Sequence, residues 1–244
     1  MPLSEREVHL WSVPLHEAEP PASLLAADER ARAERFRCPR ARAAFIQTRA
    51  ALRLLLGHYL DMAPLAVALS SGAQGKPRLG AGMGALHFNV SHSGRLALIA
   101  LSQAAVGVDL EEQPADFGWR ELLPVCCHHA ERSAFQEVTD AVGRARLLGL
   151  WTAKEAYLKG RGEGLSLPLT AIRLQACRGG WQPVIETPWD DGRGWRLRAL
   201  SLPEGYVGCL ATPSPSPLIR FQPLADLTRN GRAEDPVTPM SCYP

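Results

Sequence analysis

The sequence predicts a mixed α+β fold. A long helical stretch at 41–60 is followed by two strands with a tight turn between them at 85–101. The same order recurs later, where a mostly helical stretch at 130–160 precedes a second strand–turn–strand at 194–212. This recurrence favours two similar halves that join near Ser102–Ala105. A helix followed by a hairpin is also common in unrelated α+β folds, so the pattern alone leaves a chance repetition open.

The first half begins with a strand within residues 3–15 and continues with a charged helix at 23–37. Residues 41–60 form the clearest helix, because apolar side chains recur there at helical spacing. These side chains are Phe45, Leu52, Leu55, Leu56 and Tyr59. A glycine-rich loop at 70–84 then leads into the first strand–turn–strand.

The second half begins with a strand, "VGVDLEE", at 106–112, and its long helix is ended by the glycines of "GRGEGL". Residues 213–244 contain seven prolines and few apolar clusters, so we expect this tail to have no core of its own. We therefore divide the chain into an N-terminal half at 1–103, a C-terminal half at 104–212 and a proline-rich tail at 213–244.

Composition excludes several classes of protein. The chain has 244 residues, 46% of them hydrophobic, which suffices for one large or two small domains. Its net charge of +2 is unlike that of a uniformly basic nucleic-acid binder. The longest apolar stretch, at 96–110, is interrupted by polar residues and is shorter than the roughly 20 residues that span a bilayer. The N-terminus lacks the apolar segment of a secretion signal, so we expect a cytoplasmic protein with no membrane or nucleic-acid partner.

The six cysteines are scattered without a CxxC pair, which favours free thiols over a disulfide framework. The run "CCHH" at 126–129 contains residue types that bind zinc. Four adjacent residues cannot easily surround one tetrahedral ion, so we expect an ordinary junction between a loop and a helix there.

Two acidic residues in "VDLEE" are candidates for metal binding. Asp109 and Glu111 lie two apart on a predicted strand and therefore point to the same side. Neighbouring like charges are unfavourable unless something neutralises them, and Mg²⁺ is commonly held by one or two carboxylates together with substrate phosphates. The alternative is a solvated strand end with exposed acids, which is the commoner meaning of such a pair.

The helix that contains "WTAKEAYLK" adds a carboxylate and a lysine on one face, because Glu155 and Lys159 are four residues apart. They could form a surface ion pair that contributes about 0.3–0.5 kcal/mol. Alternatively, Glu155 could serve as a third metal ligand or a general base, and Lys159 could meet a phosphate as a compact point charge. Lys154, one residue before the glutamate, either meets a phosphate as well or only pairs with an acid.

Two further segments could bind phosphate. In "GKPR", glycine and proline flank Lys76 and could aim its ammonium group, and "FNVSHSG" places Ser91, His92 and Ser93 at a turn between strands. An ordinary polar hairpin is the simpler explanation of the second segment in isolation. The chain has only three lysines among its 27 Lys and Arg residues, and all three lie beside candidate chemistry. Since lysine and arginine are not interchangeable at fitted sites, this placement favours a phosphate site. With only three lysines, chance placement is the alternative.

Taken together, "GKPRL", "FNVSHSG", "GVDLEE" and "WTAKEAYLKGRGEGLSL" resemble, in order and spacing, the 4'-phosphopantetheinyl transferases of the large monomeric Sfp-type. The four motifs span residues 75–167. The resemblance implies two α+β halves related by a pseudo-twofold axis, with coenzyme A in the cleft between them. It also implies Mg²⁺-dependent transfer of the phosphopantetheine arm of coenzyme A to a serine of an acyl or peptidyl carrier protein, with release of 3',5'-ADP.

The same resemblance implies roles for individual residues. The Mg²⁺ ligands would be Asp109, Glu111 and Glu155, with Glu155 also acting as the base and Lys159 holding the pyrophosphate. Contacts to the 3'-phosphate and neighbouring groups of coenzyme A would come from Lys76, Pro77, Ser91, His92, Arg42 and Arg49. Because both halves of the cleft lie in one chain, we expect a monomer.

Two other functions are compatible with parts of the sequence. A non-catalytic regulator that binds coenzyme A or a carrier protein would have no need of a base beside its carboxylates. A Mg²⁺-dependent nucleotide hydrolase would need a motif that positions water, and the sequence contains no distinct one.

Overall fold

The computed structural model describes residues 3–16, 22–71, 77–84, 86–114, 116–162, 167–177, 180–185, 194–214 and 216–230. Within these ranges, five α-helices and eleven β-strands form the mixed α+β fold that the sequence predicts. None of the helices in the described ranges combines the length and the apolar character needed to cross a membrane.

The first half contains a strand, two helices, a short hairpin and a longer hairpin. These elements are β1 (Glu7–Pro14), α1 (Ala27–Glu34), α2 (Pro39–Leu60), β2 (Leu69–Ser71), β3 (Pro77–Leu79), β4 (His87–Ser93) and β5 (Leu96–Ser102).

The second half repeats this order, and a last strand and helix follow it. Its elements are β6 (Gly107–Glu112), α3 (Trp119–Cys126), α4 (Asp140–Arg161), β7 (Ile172–Cys177), β8 (Gly180–Ile185), β9 (Arg196–Ala199) and β10 (Tyr206–Thr212). The chain then continues into β11 (Leu218–Pro223) and α5 (Leu224–Asn230).

The two halves have the same strand order. In the first sheet, β1 pairs antiparallel with β5, which pairs antiparallel with β4. In the second, β6 pairs antiparallel with β10, which pairs antiparallel with β9. Each half also carries one helix of 22 residues, α2 or α4. The prediction of two similar α+β halves is therefore confirmed.

Two helices differ in extent from the sequence prediction. The charged helix expected at 23–37 is limited to α1, and the helix expected at 130–160 is interrupted. A 3₁₀ helix, His129–Phe135, precedes α4, which begins only at Asp140. Between them, Glu137 has a φ of 56°, and this left-handed conformation is incompatible with a continuous right-handed helix.

The central strand β5 contributes to two buried clusters. Ile99 packs in a cluster that includes Leu52 of α2. Its neighbour Leu98 packs in a cluster with Val108 of β6 and Leu210 of β10. Because successive side chains of a strand point to opposite faces, one face of the first sheet is covered by its own helix and the other by the second half. The halves thus share a core.

The two sheets meet where β4 runs beside β6. No backbone ladder joins these two strands; instead, side-chain oxygens of β4 accept hydrogen bonds from backbone N–H groups of β6. The bonds run from Val108 N to Asn89 Oδ1 (2.9 Å), from Leu110 N to Ser91 Oγ (3.2 Å) and from Glu112 N to Ser93 Oγ (3.0 Å). We call this row of three bonds the seam. Its constant step of two residues on each strand fixes their relative register.

Strand β11 returns to the first sheet and pairs parallel with β1. An ion pair ties the two strands together, because Arg220 Nε donates to Glu7 Oε1 at 2.6 Å. The other Glu7 oxygen accepts the backbone N–H of Ser4 at 3.0 Å. The hydrogen bond from Ser4 and the pairing with Arg220 lower the pKa of Glu7 to about 2.

We expect Glu7→Gln to weaken the acid sensitivity of the fold. The lowered pKa means that Glu7 stabilises the folded state above its usual pKa of 4.5 and loses this contribution as pH falls towards 2. The variant should be less stable than the wild type at neutral pH, and the difference should shrink as the pH is lowered through this window. Urea unfolding at a series of pH values measures it, with Glu5→Gln as an exposed control. A difference that does not change with pH would contradict the prediction.

Candidate active site

Asp109 lies at the centre of the candidate site, on β6 at the seam, and is only 3% exposed. Its Oδ1 accepts hydrogen bonds from Ser91 Oγ at 2.9 Å and from Lys159 Nζ at 2.5 Å. Its Oδ2 is buried and has no hydrogen-bond donor among the residues that the structure describes. A buried carboxylate oxygen is costly to leave without a partner, so this atom is suited to bind a cation.

Helix α4 lies close enough to β6 to place Lys159 over Asp109. The approach depends on Gly107, because a Cβ there would lie 1.9 Å from Ala156 O. Gly160 faces it from the helix, with a Cβ position 3.1 Å from Gly107 N. A larger residue at position 107 would push the helix away and separate the lysine from the carboxylate.

Three carboxylates influence one another at this point. Burial raises the pKa of Glu155, and the charge of Asp109 raises it further, while Lys159 opposes the shift. Burial likewise raises the pKa of Glu111, with an added contribution from Asp109. One lysine cannot balance three ionised carboxylates, so a further cation would be favourable here.

The turn-forming segment of β4 completes the site. Ser91 Oγ accepts a hydrogen bond from Lys159 Nζ at 3.1 Å, and Ser93 Oγ donates to Glu111 Oε2 at 2.9 Å. Burial lowers the pKa of His92, and the nearby positive charge of Lys159 lowers it further. The fold brings together β4, β6 and α4, the three segments whose residues the sequence predicted to form one site.

The residues present fit a hard divalent cation in charge and ligand type. Carboxylate oxygens are the ligands that Mg²⁺ prefers, and Asp109 Oδ2 is available among the described residues. In the described part of the chain, no three His, Cys, Asp or Glu side chains are gathered closely enough to hold a metal ion. Binding by all three carboxylates therefore requires rotation of the longer side chains of Glu111 and Glu155. The ligand set of Asp109, Glu111 and Glu155 stays a prediction.

Comparison with known proteins identifies the family. The model of the 4'-phosphopantetheinyl transferase superfamily matches residues 105–211, and the model of the N-terminal region of 4'-phosphopantetheinyl transferases matches residues 9–104. The 4'-phosphopantetheinyl transferase HetI of Nostoc sp. is 37% identical over 213 residues, which cover 84% of this chain and 87% of HetI. The chain belongs to the 4'-phosphopantetheinyl transferase family.

Other relatives agree with this assignment. A putative 4'-phosphopantetheinyl transferase of Synechocystis sp. is 34% identical over 182 residues, covering 74% of this chain and 73% of the relative. The 4'-phosphopantetheinyl transferase Sfp of Bacillus subtilis is 29% identical over 136 residues, covering 52% of this chain and 56% of Sfp. The resemblance inferred from the four motifs is confirmed, and the protein is an enzyme that transfers phosphopantetheinyl groups.

The remaining residues predicted to contact coenzyme A in this transferase are less closely grouped. Lys76 lies outside the described residues, and Pro77 begins β3. Arg42 is exposed in the first turn of α2. Arg49 lies further along α2 and pairs with the buried Glu29, 3.6 Å away. The roles of these four residues in binding coenzyme A stay predictions.

Arg40 is not among the site residues predicted from the sequence. A small recess beside the seam lies between the turn that follows β4 and the start of α2. It is lined by Leu15, His16, Arg40, Ala44, Gly94 and Arg95. Arg40 could not be distinguished from its neighbours in the sequence, because arginines are dense between positions 30 and 42 and only the packing of α2 selects one of them.

Lys154 has a structural role in the transferase. It is completely buried, and its ammonium group donates to Cys126 O at 2.8 Å, Leu169 O at 3.1 Å and Glu131 Oε2 at 2.6 Å. These three acceptors match the three protons of an ammonium group. Of the two alternatives left by the sequence, pairing with an acid is therefore the one that the structure supports.

We expect Lys154→Met to reduce the free energy of unfolding by about 3–5 kcal/mol, because it leaves the carboxylate of Glu131 without its cation. Urea denaturation followed by circular dichroism measures the loss. Arg120→Met is the control for loss of an exposed cation, since the side chains of Arg120 and its partner Asp140 are 60% and 59% exposed. A midpoint for Lys154→Met equal to that of the wild type, or an equal loss in both variants, would contradict this prediction.

Proposed function

We propose that this transferase moves the 4'-phosphopantetheine arm of coenzyme A to a serine hydroxyl of an acyl or peptidyl carrier protein, in a Mg²⁺-dependent reaction that releases 3',5'-ADP. The serine oxygen would form a bond to the phosphorus that bears the pantetheine. The P–O bond to the other phosphate of the pyrophosphate would break, and its electrons would leave with 3',5'-ADP.

The proposal rests on one observation, the contact of Lys159 with the buried Asp109 beside the seam. Burial raises the pKa values of Glu111 and Glu155, and both lie near enough to Asp109 for its charge to raise them further. Phosphoryl transfer depends on positioning and on neutralising charge more than on covalent catalysis. Bound by the three carboxylates, Mg²⁺ would act as a Lewis acid on the pyrophosphate and hold it in place. The buried Oδ2 of Asp109 supports this assignment because it is a ligand atom without a competing donor among the described residues.

Glu155 and Lys159 would have separate roles in the transfer step. Glu155 is partly buried and one helical turn before Lys159, so it could accept the proton of the incoming serine hydroxyl. The ammonium group of Lys159 lies against Asp109 and Ser91 and could turn towards the pyrophosphate, where negative charge develops.

The anionic ends of coenzyme A would be held by residues on both sides of the β4 turn. Ser91 and His92 lie next to Lys159, as the pKa of His92 and the contact to Ser91 indicate. We extend the predicted set of Lys76, Pro77, Arg42 and Arg49 by Arg40 in the recess. Since one chain supplies both halves of the site, we propose that the enzyme acts as a monomer on separate carrier proteins.

The test is intact-mass spectrometry of an apo carrier protein incubated with the enzyme, coenzyme A and Mg²⁺. We expect a gain of one phosphopantetheine mass that EDTA abolishes. No gain with carriers from fatty acid, polyketide and nonribosomal peptide synthesis, together with binding of coenzyme A in calorimetry, would favour a non-catalytic regulator. A gain that persists in EDTA would contradict the role of Mg²⁺.

We expect Glu155→Gln to lower kcat by about 10²–10⁴-fold, the usual contribution of a positioned general base, with little change in the Kd for coenzyme A. Steady-state rates and calorimetry give the two quantities, and Glu121→Gln, an exposed acid on α3, is the control for loss of a charge. Equal losses in kcat and in affinity would mean that Glu155 mainly organises the ligand and is not the base.

A further inference from the structure

In the seam, two serines of β4 make the same pattern of hydrogen bonds to two acidic residues and the backbone of β6. Ser91 Oγ accepts the N–H of Leu110 and donates to Asp109, the residue before it. Ser93 Oγ accepts the N–H of Glu112 and donates to Glu111, again the residue before it. The S-x-S of β4 is thus matched, residue by residue, to the D-x-E of β6.

The direction of the bond to Glu111 follows from the number of available protons. A serine hydroxyl has one proton to donate and two lone pairs that accept. The backbone N–H of Glu112 is a donor, so it can occupy only a lone pair of Ser93 Oγ. The single proton of Ser93 is therefore left for Glu111 Oε2, which lies 2.9 Å away.

Glu111 needs this bond more than Asp109 does. Asp109 has a short side chain that is almost completely buried. Glu111 is only partly buried, and a glutamate side chain loses much rotamer entropy when one conformation is fixed. Among the described residues, Ser93 is the hydrogen-bond donor that the structure gives to the Glu111 carboxylate.

Ser93 is itself held in place by the turn that follows it. Glu112 Oε1 accepts from Tyr206 Oη at 3.2 Å, and Tyr206 Oη accepts from Arg95 N at 2.9 Å. Gly94 has a φ of +57°, and a Cβ there would lie 2.4 Å from the Glu112 carboxylate. The hairpin turn is therefore closed onto the end of β6, which keeps the Ser93 hydroxyl in register with Glu111.

We propose that Ser93 is a positioning residue, which orients the Glu111 carboxylate for divalent-cation binding and thereby for transfer. The role rests on the proposed function, because it requires Glu111 to be a metal ligand. Ser93 would not touch the substrate or the reacting atoms. Partners that orient metal ligands in this way commonly change metal affinity or activity by about 10–100-fold when they are removed.

Binding of Mn²⁺, a spectroscopic substitute for Mg²⁺, tests the role apart from turnover. The free ion is titrated by electron paramagnetic resonance with enzyme and coenzyme A present and carrier protein absent. We expect Ser93→Ala to weaken Mn²⁺ binding by about 10–100-fold and Ser93→Thr, which keeps a hydroxyl, to restore it. Ser93→Cys preserves the size of the side chain and has a weak donor, so it should lose affinity even if Ser93→Ala does not fold.

Asn89→Ala is the matched control, because the hydrogen bond that Asn89 makes in the seam, among the described residues, is to the backbone of β6 and not to a carboxylate. It should lower the urea midpoint and keep the Mn²⁺ affinity. Unchanged affinity in Ser93→Ala and Ser93→Cys, or an equal loss in Asn89→Ala, would overturn the positioning role. Failure of the wild type to bind Mn²⁺ would instead contradict the metal site of the proposed function, and the inference with it.

In transfer assays, the kcat of Ser93→Ala should be low at ordinary Mg²⁺ concentration and recover as Mg²⁺ is raised, with the KM for the carrier unchanged. A defect that excess Mg²⁺ does not relieve would show that Ser93 acts on the fold and not on the metal site.

Discussion

The seam between β4 and β6 is the interaction on which the rest of the molecule depends. Three side-chain oxygens of β4 take the place of a neighbouring strand for β6. Each bond contributes about 0.5–1.5 kcal/mol, yet leaving a buried N–H unpaired would cost about 1–3 kcal/mol. Together the bonds set the register of two sheets that share no backbone ladder. Because this contact spans the halves, it places β6, which carries Asp109 and Glu111, against the first sheet.

The seam contributes both to the stability of the fold and to the geometry of the candidate site. Asn89, Ser91 and Ser93 are every second residue of β4, so all three bond the backbone of β6. Ser91 and Ser93 also donate hydrogen bonds to carboxylates of β6. The close backbone approach of β6 and α4 at Gly107 then adds a cation from the helix. The site is therefore built on rigid elements, a strand pair and a helix, which suits a reaction that depends on positioning.

Features that repeat locally could be predicted from the sequence. The bounds of α2 differ from the expected 41–60 by two residues at one end, since Pro39 starts the helix. Strand alternation paired Asp109 with Glu111, and helical spacing paired Glu155 with Lys159. Only the family resemblance assigned these pairs and Ser91 to one site. Local patterns carried no information on the surroundings of Lys154, because its acceptors lie 15 to 28 residues away. The return of β11 was equally hidden, since Arg220 and Glu7 are 213 residues apart. Because arginines are frequent in this region, the sequence also did not indicate that Arg49 pairs with Glu29.

The contrast between the two lysines of α4 has a practical consequence for chemical labelling. The Lys154 side chain is fully enclosed and hydrogen-bonded, whereas 31% of the Lys159 side chain is open to solvent. Arginine supplies nearly all the other positive charges of the chain, and its guanidinium group does not react with amine-specific acylating reagents. Of the lysines that the structure describes, Lys159 is thus the one that such a reagent can reach in the folded enzyme. Among the described lysines, a lysine-directed probe would therefore report on the surroundings of Lys159 beside Asp109.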